Sequence, residues 1–263
     1  MQFPNLFIPP TIIEIFFFIY IICSKMDDEK RILIFSACYN EKDNIKELIF
    51  GIREHSPLCS ILIIDDNSPD QTQEIVKKLQ LEDPEIHLII REKKLGLDTA
   101  HKFAYNYALK NNYDYLITMD ADLSHNPSDL KEIIHNLKNY PFVIGSRYAK
   151  GGQCLMKGWR LSLSKYGNLF IKKISGINCN EFTTSYRGFD LKKLTNFNLN
   201  SVENKGYSFF MGTLFEIEKK NFPIKEIPIT FKDRLKGSSK IPKIEILRTF
   251  KNLFILTIKK YFS

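Results

Sequence analysis

The sequence predicts an α/β domain built on one mostly parallel sheet with helices on both faces. Three observations predict it. Short runs that are apolar throughout and rich in branched residues recur along the first half: RILIFSA at 31–37, SILIIDD at 60–66, IHLIIRE at 86–92, DYLITMD at 114–120 and FVIGS at 142–146. Strands buried on both faces read this way. Amphipathic helical segments separate them, as the crossovers of a parallel sheet require. At 263 residues the chain is long enough to bury a substantial core.

The elements follow in order. Between the first two strands, Glu41 to Glu54 reads as a helix with Asp43 as N-cap and Ile45, Leu48, Ile49 and Ile52 on one face. Pro69 to Leu81 reads as the next, with Ser68 capping it before a first-turn proline. Thr99–Lys110 and Pro127–Leu137 complete the alternation, which stops after Arg147. A glycine-rich KGGQ loop then leads to a helix from about Arg160 to Ser175. The segment NEFTTSYRGF follows, then a short helix at Asp190–Leu194, a helix from near Tyr207, and the strand IKEIPITF. DRLKGSSK is a basic loop, and Ile244–Phe262 closes the chain as a helix with an apolar stripe and basic flanks. Internal repeats and low-complexity segments are absent from the sequence.

Lys and Arg exceed Asp and Glu by 38 to 30, and the excess is concentrated. From Lys232 to Ser263 nine Lys/Arg face only Asp233 and Glu245, which points this tail at an anionic surface. The basic residues lack an interleaved aromatic platform, so a nucleic-acid partner is not expected. The five cysteines are odd in number, widely spaced and without a CxxC pair, which argues against a disulfide framework and a zinc site and for reduced thiols. IIEIFFFIYIIC, Ile12 to Cys23, is apolar except for Glu14, yet short of the roughly 20 residues of a membrane span. It reads as an interfacial anchor, a marginal span, or translated upstream sequence before a start at Met26.

The polar motifs fall at one place, the carboxyl ends of the strands: CYNE, DDNSPD, REKKLGLD, DADLSH and GSRY. Ligands bind at that edge of open α/β sheets. Asp120 and Asp122, two residues apart just past a strand, suit a hard cation, Mg2+ or Mn2+, that bridges to phosphates. A solvated turn is the alternative. Asp65 and Asp66 suit a ribose or base edge, although Asn67 and Ser68 could make an Asx turn there unaided. Tyr39, Asn40 and Glu41 form a loop that could cover a base or sugar. Arg147, Arg160, Arg187, Arg234 and Lys240 lie in or beside loops, and arginine suits bidentate phosphate recognition. Ser164 lies one helical turn beyond Arg160, so both can face one anion. Each cation alone reads as a surface charge. His125 reads as a second-shell or helix-capping group before a ligand or acid–base one. His101 reads as structural or exposed. Trp159 suits either stacking on a substrate or the core.

The motifs taken together, in this order, resemble glycosyltransferase family 2 with a GT-A (Rossmann-like) fold, and within it the dolichyl- and polyprenyl-phosphate mannose synthases. The resemblance covers roughly Arg31 to Lys240. It rests on YNEKDNI, IIDDNSPDQT, REKKLGLDTA, MDADLSHNP, VIGSRYAKGG, the spacing of Trp159, Arg160, Ser164 and Asn168, TTSYRGF, GYSF and IPITFKDRLKGSSK. It implies a metal-dependent inverting transfer of a sugar, most often mannose from GDP-mannose, to a polyprenyl phosphate. Carried over, Ala37, Tyr39, Glu41, Asp66 and Asp120 match the donor-nucleotide positions, and Asp120 and Asp122 the Mg2+ or Mn2+ pair. Arg147, Arg160 and Ser164 match the acceptor-phosphate clamp, with Asp122, Arg147 and Arg160 at the reaction centre. Arg234 and Lys240 match a basic loop that closes over the diphosphate.

The chain departs from that pattern. Ala37-Cys38 replaces Pro-Thr, Asp98 replaces a glycine and adds negative charge near the nucleotide, and Gly212 stands where many members carry a glutamate. These changes bear on the donor more than on the reaction type. Three readings remain open: the polyprenyl-phosphate transferase; a transferase using UDP-glucose or another donor, or a saccharide acceptor; and a weakly catalytic paralogue that binds nucleotide or lipid phosphate. The resulting organisation is an apolar segment at 1–25, a GT-A domain at 26–240 and a basic amphipathic helix at 241–263. The expected setting is the cytoplasmic face of a membrane, with peripheral or weak attachment and with a membrane partner subunit as an option.

Overall fold

The computed structural model describes residues 30–233 and 244–262. The apolar segment at 1–25, the start at Met26, and Arg234 and Lys240 lie outside the described residues. The strands are β1 (Ile32–Cys38), β2 (Ser60–Asp65), β3 (Ile86–Ile90), β4 (Tyr115–Thr118), β5 (Phe142–Ser146), β6 (Gln153–Cys154), β7 (Arg187–Asp190), β8 (Ile224–Pro228) and β9 (Thr230–Phe231). The helices are α1 (Ile45–His55), α2 (Thr72–Glu82), α3 (Leu97–Lys110), α4 (Leu130–Leu137), α5 (Trp159–Ser175), α6 (Ser208–Lys219) and α7 (Ile244–Phe262). Among the described residues, no helix is long and apolar enough to cross a membrane.

Seven strands form one sheet in the order β3-β2-β1-β4-β7-β5-β8. Every pairing is parallel except those of β7, which runs antiparallel to both β4 and β5. Side chains alternate across a strand, so each apolar run feeds two cores. Leu33, Phe35, Leu62 and Ile64 face Ala100 and Ala104 of α3 and Phe209, Phe210 and Leu214 of α6. Ile34, Ile61, Ile63 and Ile117 face Ile45, Leu48, Ile49 and Ile52 of α1, Val76 of α2 and Leu130 and Ile133 of α4. β6 and β9 form a short parallel ribbon beside the sheet.

Several local expectations give way. α1 begins at Ile45 after Asn44, not after Asp43, and Asn44 turns its side chain back to Glu41 Oε2 at 2.8 Å. α2 begins at Thr72, not at Pro69, because DDNSPD is held as a turn. Within it Asp65 accepts from Ser68 N at 2.8 Å and Ser68 Oγ at 2.5 Å, while Asp70 accepts from Thr72 N at 3.1 Å and Lys42 N at 3.0 Å. Ser68 is therefore bound inside the turn and caps nothing.

The segment expected as a helix at Asp190–Leu194 is instead the end of β7 and one turn, in which Asp190 Oδ1 accepts from Lys192 N and Lys193 N. Arg187 thus lies in a central strand and not in a loop. Its guanidinium is buried and donates to Phe210 O at 2.7 Å, Thr184 O at 2.9 Å and Phe182 O at 3.3 Å. Burial pushes it down to about 9. It braces α6 against β7 and is not a phosphate-clamp group.

Two of the departures from the family pattern, Asp98 and Gly212, have structural reasons. Asp98 is buried, and its Oδ1 accepts from Gly206 N at 3.0 Å, so it ties α3 to the loop before α6. Gly212 lies in the buried face of α6, where a Cβ would come within 2.3 Å of Asn204 Oδ1. Asn204 fills the space that a larger residue at 212 would occupy.

Candidate active site

The antiparallel β7 builds the site. A parallel strand there would start at the opposite edge. Running against its neighbours, β7 enters from the carboxyl edge of β4 and β5, so the residues just before it, 180–186, sit among the polar ends of those strands.

The β1 and β2 ends are laced together. Cys38 Sγ donates to Asp65 Oδ2 at 3.3 Å, Asn40 N to Ser68 Oγ at 2.9 Å, and Glu41 N to Thr72 Oγ1 at 3.0 Å. Asn40 and Asn67 both take left-handed backbone, φ 58° each, which asparagine tolerates well. Asp65 is fully buried and also accepts from Gln73 Nε2 at 2.8 Å, so it organises the turn. Asp66 faces Arg91 at 2.5 Å. Burial raises its carboxyl above the usual range, against the lowering pull of Arg91. Tyr39 carries Lys94 over its ring at 4.8 Å. Ala37, Tyr39, Glu41 and Asp66 therefore gather around the adjacent ends of β1 and β2.

The acidic pair follows β4. Asp122 is buried, and its Oδ1 accepts from Ser124 N at 3.1 Å and Ser124 Oγ at 2.6 Å. Asp120 is half-buried, and its Oδ1 accepts from Ser185 Oγ at 2.5 Å, a contact that only the entry of β7 from this edge allows. The Asp120 backbone N–H donates to His125 Nδ1 at 3.0 Å. An N–H can only donate, so Nδ1 holds a lone pair and Nε2 carries the proton toward Thr184 Oγ1 at 3.1 Å. His125 is completely buried, stacks on Tyr186 at 4.8 Å, and is lowered from its ordinary value by that burial. It is a neutral brace for Asp120. Capping of the following 3-10 turn falls to Asn126, whose side chain accepts from Ser128 N.

The donor set suits a divalent cation. Both carboxylates are fixed by hydroxyls, and no Lys or Arg of the described residues pairs with Asp120. Among the described residues no group of three or more such ligands gathers. The pair thus fits a hard ion that completes its shell with phosphate oxygens and water.

The cations lie on the other side. Arg147 is buried and forks onto Glu181, Nε to Oε2 at 2.6 Å and Nη2 to Oε1 at 2.7 Å. Nη2 also donates to Thr183 Oγ1 at 2.7 Å, and the fork leaves Nη1 outside it. Burial disfavours charge on both partners, yet each outweighs that for the other. The Glu181 carboxyl is held below the usual range, and the Arg147 guanidinium above its own. Phe231 flanks Arg147 at 5.0 Å and Tyr148 at 5.2 Å. Tyr148 OH donates to Ser164 Oγ at 2.7 Å, which joins the β5 end to α5. Arg160, on the first turn of α5, is part-exposed and lies 3.6 Å from Asp233. Trp159 beside it is 68% exposed and not in the core.

Sequence reasoning missed Glu181, Ser185 and Thr184. The signal was present, since all three flank or lie within TTSYRGF. Their roles depend on the direction of β7, which its short sequence does not declare.

The glycosyl transferase family 2 profile matches residues 34–197. The chain is 33% identical over 215 residues to the polyprenol monophosphomannose synthase of Mycolicibacterium smegmatis, covering 81% of each. Among solved structures, mannosyl-3-phosphoglycerate synthase from Rubrobacter xylanophilus matches with a TM-score of 0.64 at 14% identity, over 90% of this chain and 76% of that one. A mannosyltransferase from Pyrobaculum calidifontis in complex with GDP-Man and Mn2+ matches with a TM-score of 0.52 at 17% identity, over 88% and 64%. At these identities the two structures speak to the fold.

Proposed function

The chain belongs to glycosyl transferase family 2 and is a glycosyltransferase, and from that premise we propose that it transfers mannose from GDP-mannose to the phosphate of a polyprenyl phosphate. The observation that carries this reading is the chemistry of the α5 side. Arg147, Arg160, Ser164 and Thr183 are cationic or hydroxylic, and both acids there face arginines: buried Glu181 is neutralised by Arg147, and Asp233 lies 3.6 Å from Arg160. A sugar hydroxyl as acceptor would need a carboxylate base. A phosphate is already a nucleophile and needs alignment and charge shielding instead.

The roles follow from the residues. The β1 and β2 ends, with Tyr39, Glu41 and Asp66, receive the nucleotide. Asp120 and Asp122 would hold Mg2+ or Mn2+, which when bound neutralises charge on the diphosphate. Arg147, through Nη1, and Arg160, with Ser164, orient the acceptor phosphate. A phosphate oxygen attacks the anomeric carbon on the face opposite the diphosphate. The new carbon–oxygen bond forms as the bond to the diphosphate breaks, and the configuration inverts to give the β-linked lipid. Arg234 and Lys240 belong to the same reading as closing cations over the diphosphate. The acceptor's prenyl chain places the enzyme at a membrane surface, on the cytoplasmic side that supplies nucleotide sugars.

The test offers the enzyme GDP-mannose or UDP-glucose with polyprenyl phosphate, each with Mn2+ or with a chelator, and assigns the product's anomeric configuration by NMR. The reading expects a β-mannosyl lipid from GDP-mannose that disappears with chelation. Transfer from UDP-glucose alone, an α-linked product, or full activity in chelator would each contradict the corresponding part.

A further inference from the structure

A cavity of about 330 Å3 opens at the amino edge of the sheet, across from the candidate active site. Lys30 and Ile32 stand there at the start of β1, and Ser56 to Cys59 lead into β2. One wall is His55, the last residue of α1. The other is Lys131, Ile134, His135 and Lys138, at the three- and four-residue spacing of one face of α4. Leu130, Ile133 and Leu137, on the other side of α4, are buried in the core. No residue assigned to the sugar-transfer site lines this cavity.

Its charge has one sign. Three lysines and two histidines line it, and no acidic residue does. Lys131, His135 and Lys138 are exposed, and among the described residues neither Lys131 nor Lys138 pairs with a carboxylate. Helix ends account for part of this, since the dipole favours a cation near a helix C-terminus, where His55 and Lys138 lie. The same dipole opposes Lys131 in the first turn of α4, and Lys30 precedes a strand. Helix stability explains neither of these two. Like charges gathered around one hollow repel, and an anion relieves them. His55 supplies a second observation. Its Nδ1 is buried without a hydrogen-bond partner among the described residues, and a buried polar atom calls for one. Carrying its proton, Nδ1 donates to an anion. Ile32, Leu58 and Ile134 add apolar surface between the cations.

We propose that this cavity binds a small organic phosphate, a phosphate group on a compact apolar or ring-shaped body, at a site separate from the transfer reaction. The lysines and His55 meet the phosphate oxygens, for which ammonium groups act as point charges. Ile32, Leu58 and Ile134 meet the body. The volume is that of a small-molecule site, too small for a long prenyl chain. Such a site stands whether or not the acidic pair at the other edge holds a metal.

The test follows the histidine ring signals of the full chain by NMR at constant pH, with a chelator present, during titration with phenyl phosphate and, separately, inorganic phosphate. His55→Gln and His135→Gln assign the two signals. The expected result is saturable shifts at His55 and His135, with His101 and His125 unmoved. Phenyl phosphate should bind roughly tenfold more tightly than inorganic phosphate, because part of its ring leaves water. Lys131→Ala with Lys138→Ala should weaken binding by roughly tenfold or more, since two of the three lysines are gone. Both positions are exposed, and an unaltered thermal melt would show that folding is retained. Lys77→Ala with Lys78→Ala, the same loss of charge at exposed positions of α2, should leave binding unchanged. No saturable shift at His55 or His135, undiminished binding by the Lys131 and Lys138 variant, an equal loss in the α2 variant, or equal affinity for the two probes would each overturn the proposal. Asp27, Asp28 and Glu29 directly precede Lys30. A wild type that takes up no probe, beside a chain carrying Asp27→Asn, Asp28→Asn and Glu29→Gln that does, would give the cavity to the chain's own acidic residues and overturn it as well.

Discussion

Glu181→Gln isolates the ion pair that holds the acceptor side together. Glu181 is fully buried and accepts from Arg147 twice, at 2.6 and 2.7 Å, and from Thr183 N and Thr184 N at 3.0 and 3.2 Å. Two unit charges about 4 Å apart attract by about 4 kcal/mol at an effective dielectric of about 20. Glutamine keeps the volume and can still accept from the Thr183 and Thr184 N–H groups, but it turns an amide toward Arg147 and leaves that cation buried without a counter-charge. Breaking one half of such a pair costs about 3–5 kcal/mol. Urea unfolding followed by circular dichroism should therefore show a loss of about that size. Arg147→Met combined with Glu181→Gln should recover a large part of it, since the orphaned charge is gone. The pH dependence has a definite sign. The Glu181 carboxyl is held below its usual range by Arg147 despite its burial. Its stabilisation is thus complete above the ordinary glutamate value near about 4.3 and is lost as pH falls through the lowered value. The gap between wild type and Glu181→Gln should narrow only on acidification. A loss under about 1 kcal/mol, or a double variant less stable than Glu181→Gln alone, would refute the reasoning.

Three other substitutions act on Asp129, Gly212 and Ser185. Asp129 has a buried Oδ2 without a hydrogen-bond partner, and its carboxyl is pushed up to about 6 by burial. Wild-type stability should fall as pH rises from about 4 through about 6; Asp129→Asn should remove that slope and gain about 1 kcal/mol at neutral pH, after discounting for partial exposure. Gly212→Ala drives a Cβ toward Asn204 Oδ1 and should cost about 1–3 kcal/mol in urea unfolding, with Asn204→Gly restoring most of it. Ser185→Ala removes the hydroxyl on Asp120 Oδ1; calorimetry should find Mn2+-dependent nucleotide binding weakened by about 10- to 100-fold with the melt little changed.

The sheet was legible because its strands are buried on both faces. SILIIDD has no polar side for a helix to use, and each crossover helix shows its apolar stripe. Asp120 and Asp122 were legible for the same reason, since a motif that follows a buried strand must lie at the edge where that strand ends. Three kinds of feature were not. β7 is four residues long, and Asp190 within it looks like the cap of a helix, so both its strand character and its direction come from β4 and β5. Glu181 and Ser185 depend on that direction and stayed hidden with it. The starts of α1 and α2 were misplaced because Ser68 and Asp70 bond within the turn that follows β2, and Asp70 also holds Lys42 N ahead of α1. Gly212 looked like a lost functional group; the reason for it, Asn204, lies eight positions away in another segment.

On this reading the acidic pair at the end of β4 supports transfer of a sugar to a lipid phosphate. Its most direct test measures label passing from GDP-mannose into polyprenyl phosphate with Mn2+, for wild type and Asp122→Ala side by side, with nucleotide binding measured on both. Wild type should transfer the label, and Asp122→Ala should stay folded with transfer abolished and Mn2+-dependent nucleotide binding sharply weakened. Equal transfer by both proteins, or a folded wild type that binds nucleotide with Mn2+ and transfers nothing, would contradict it.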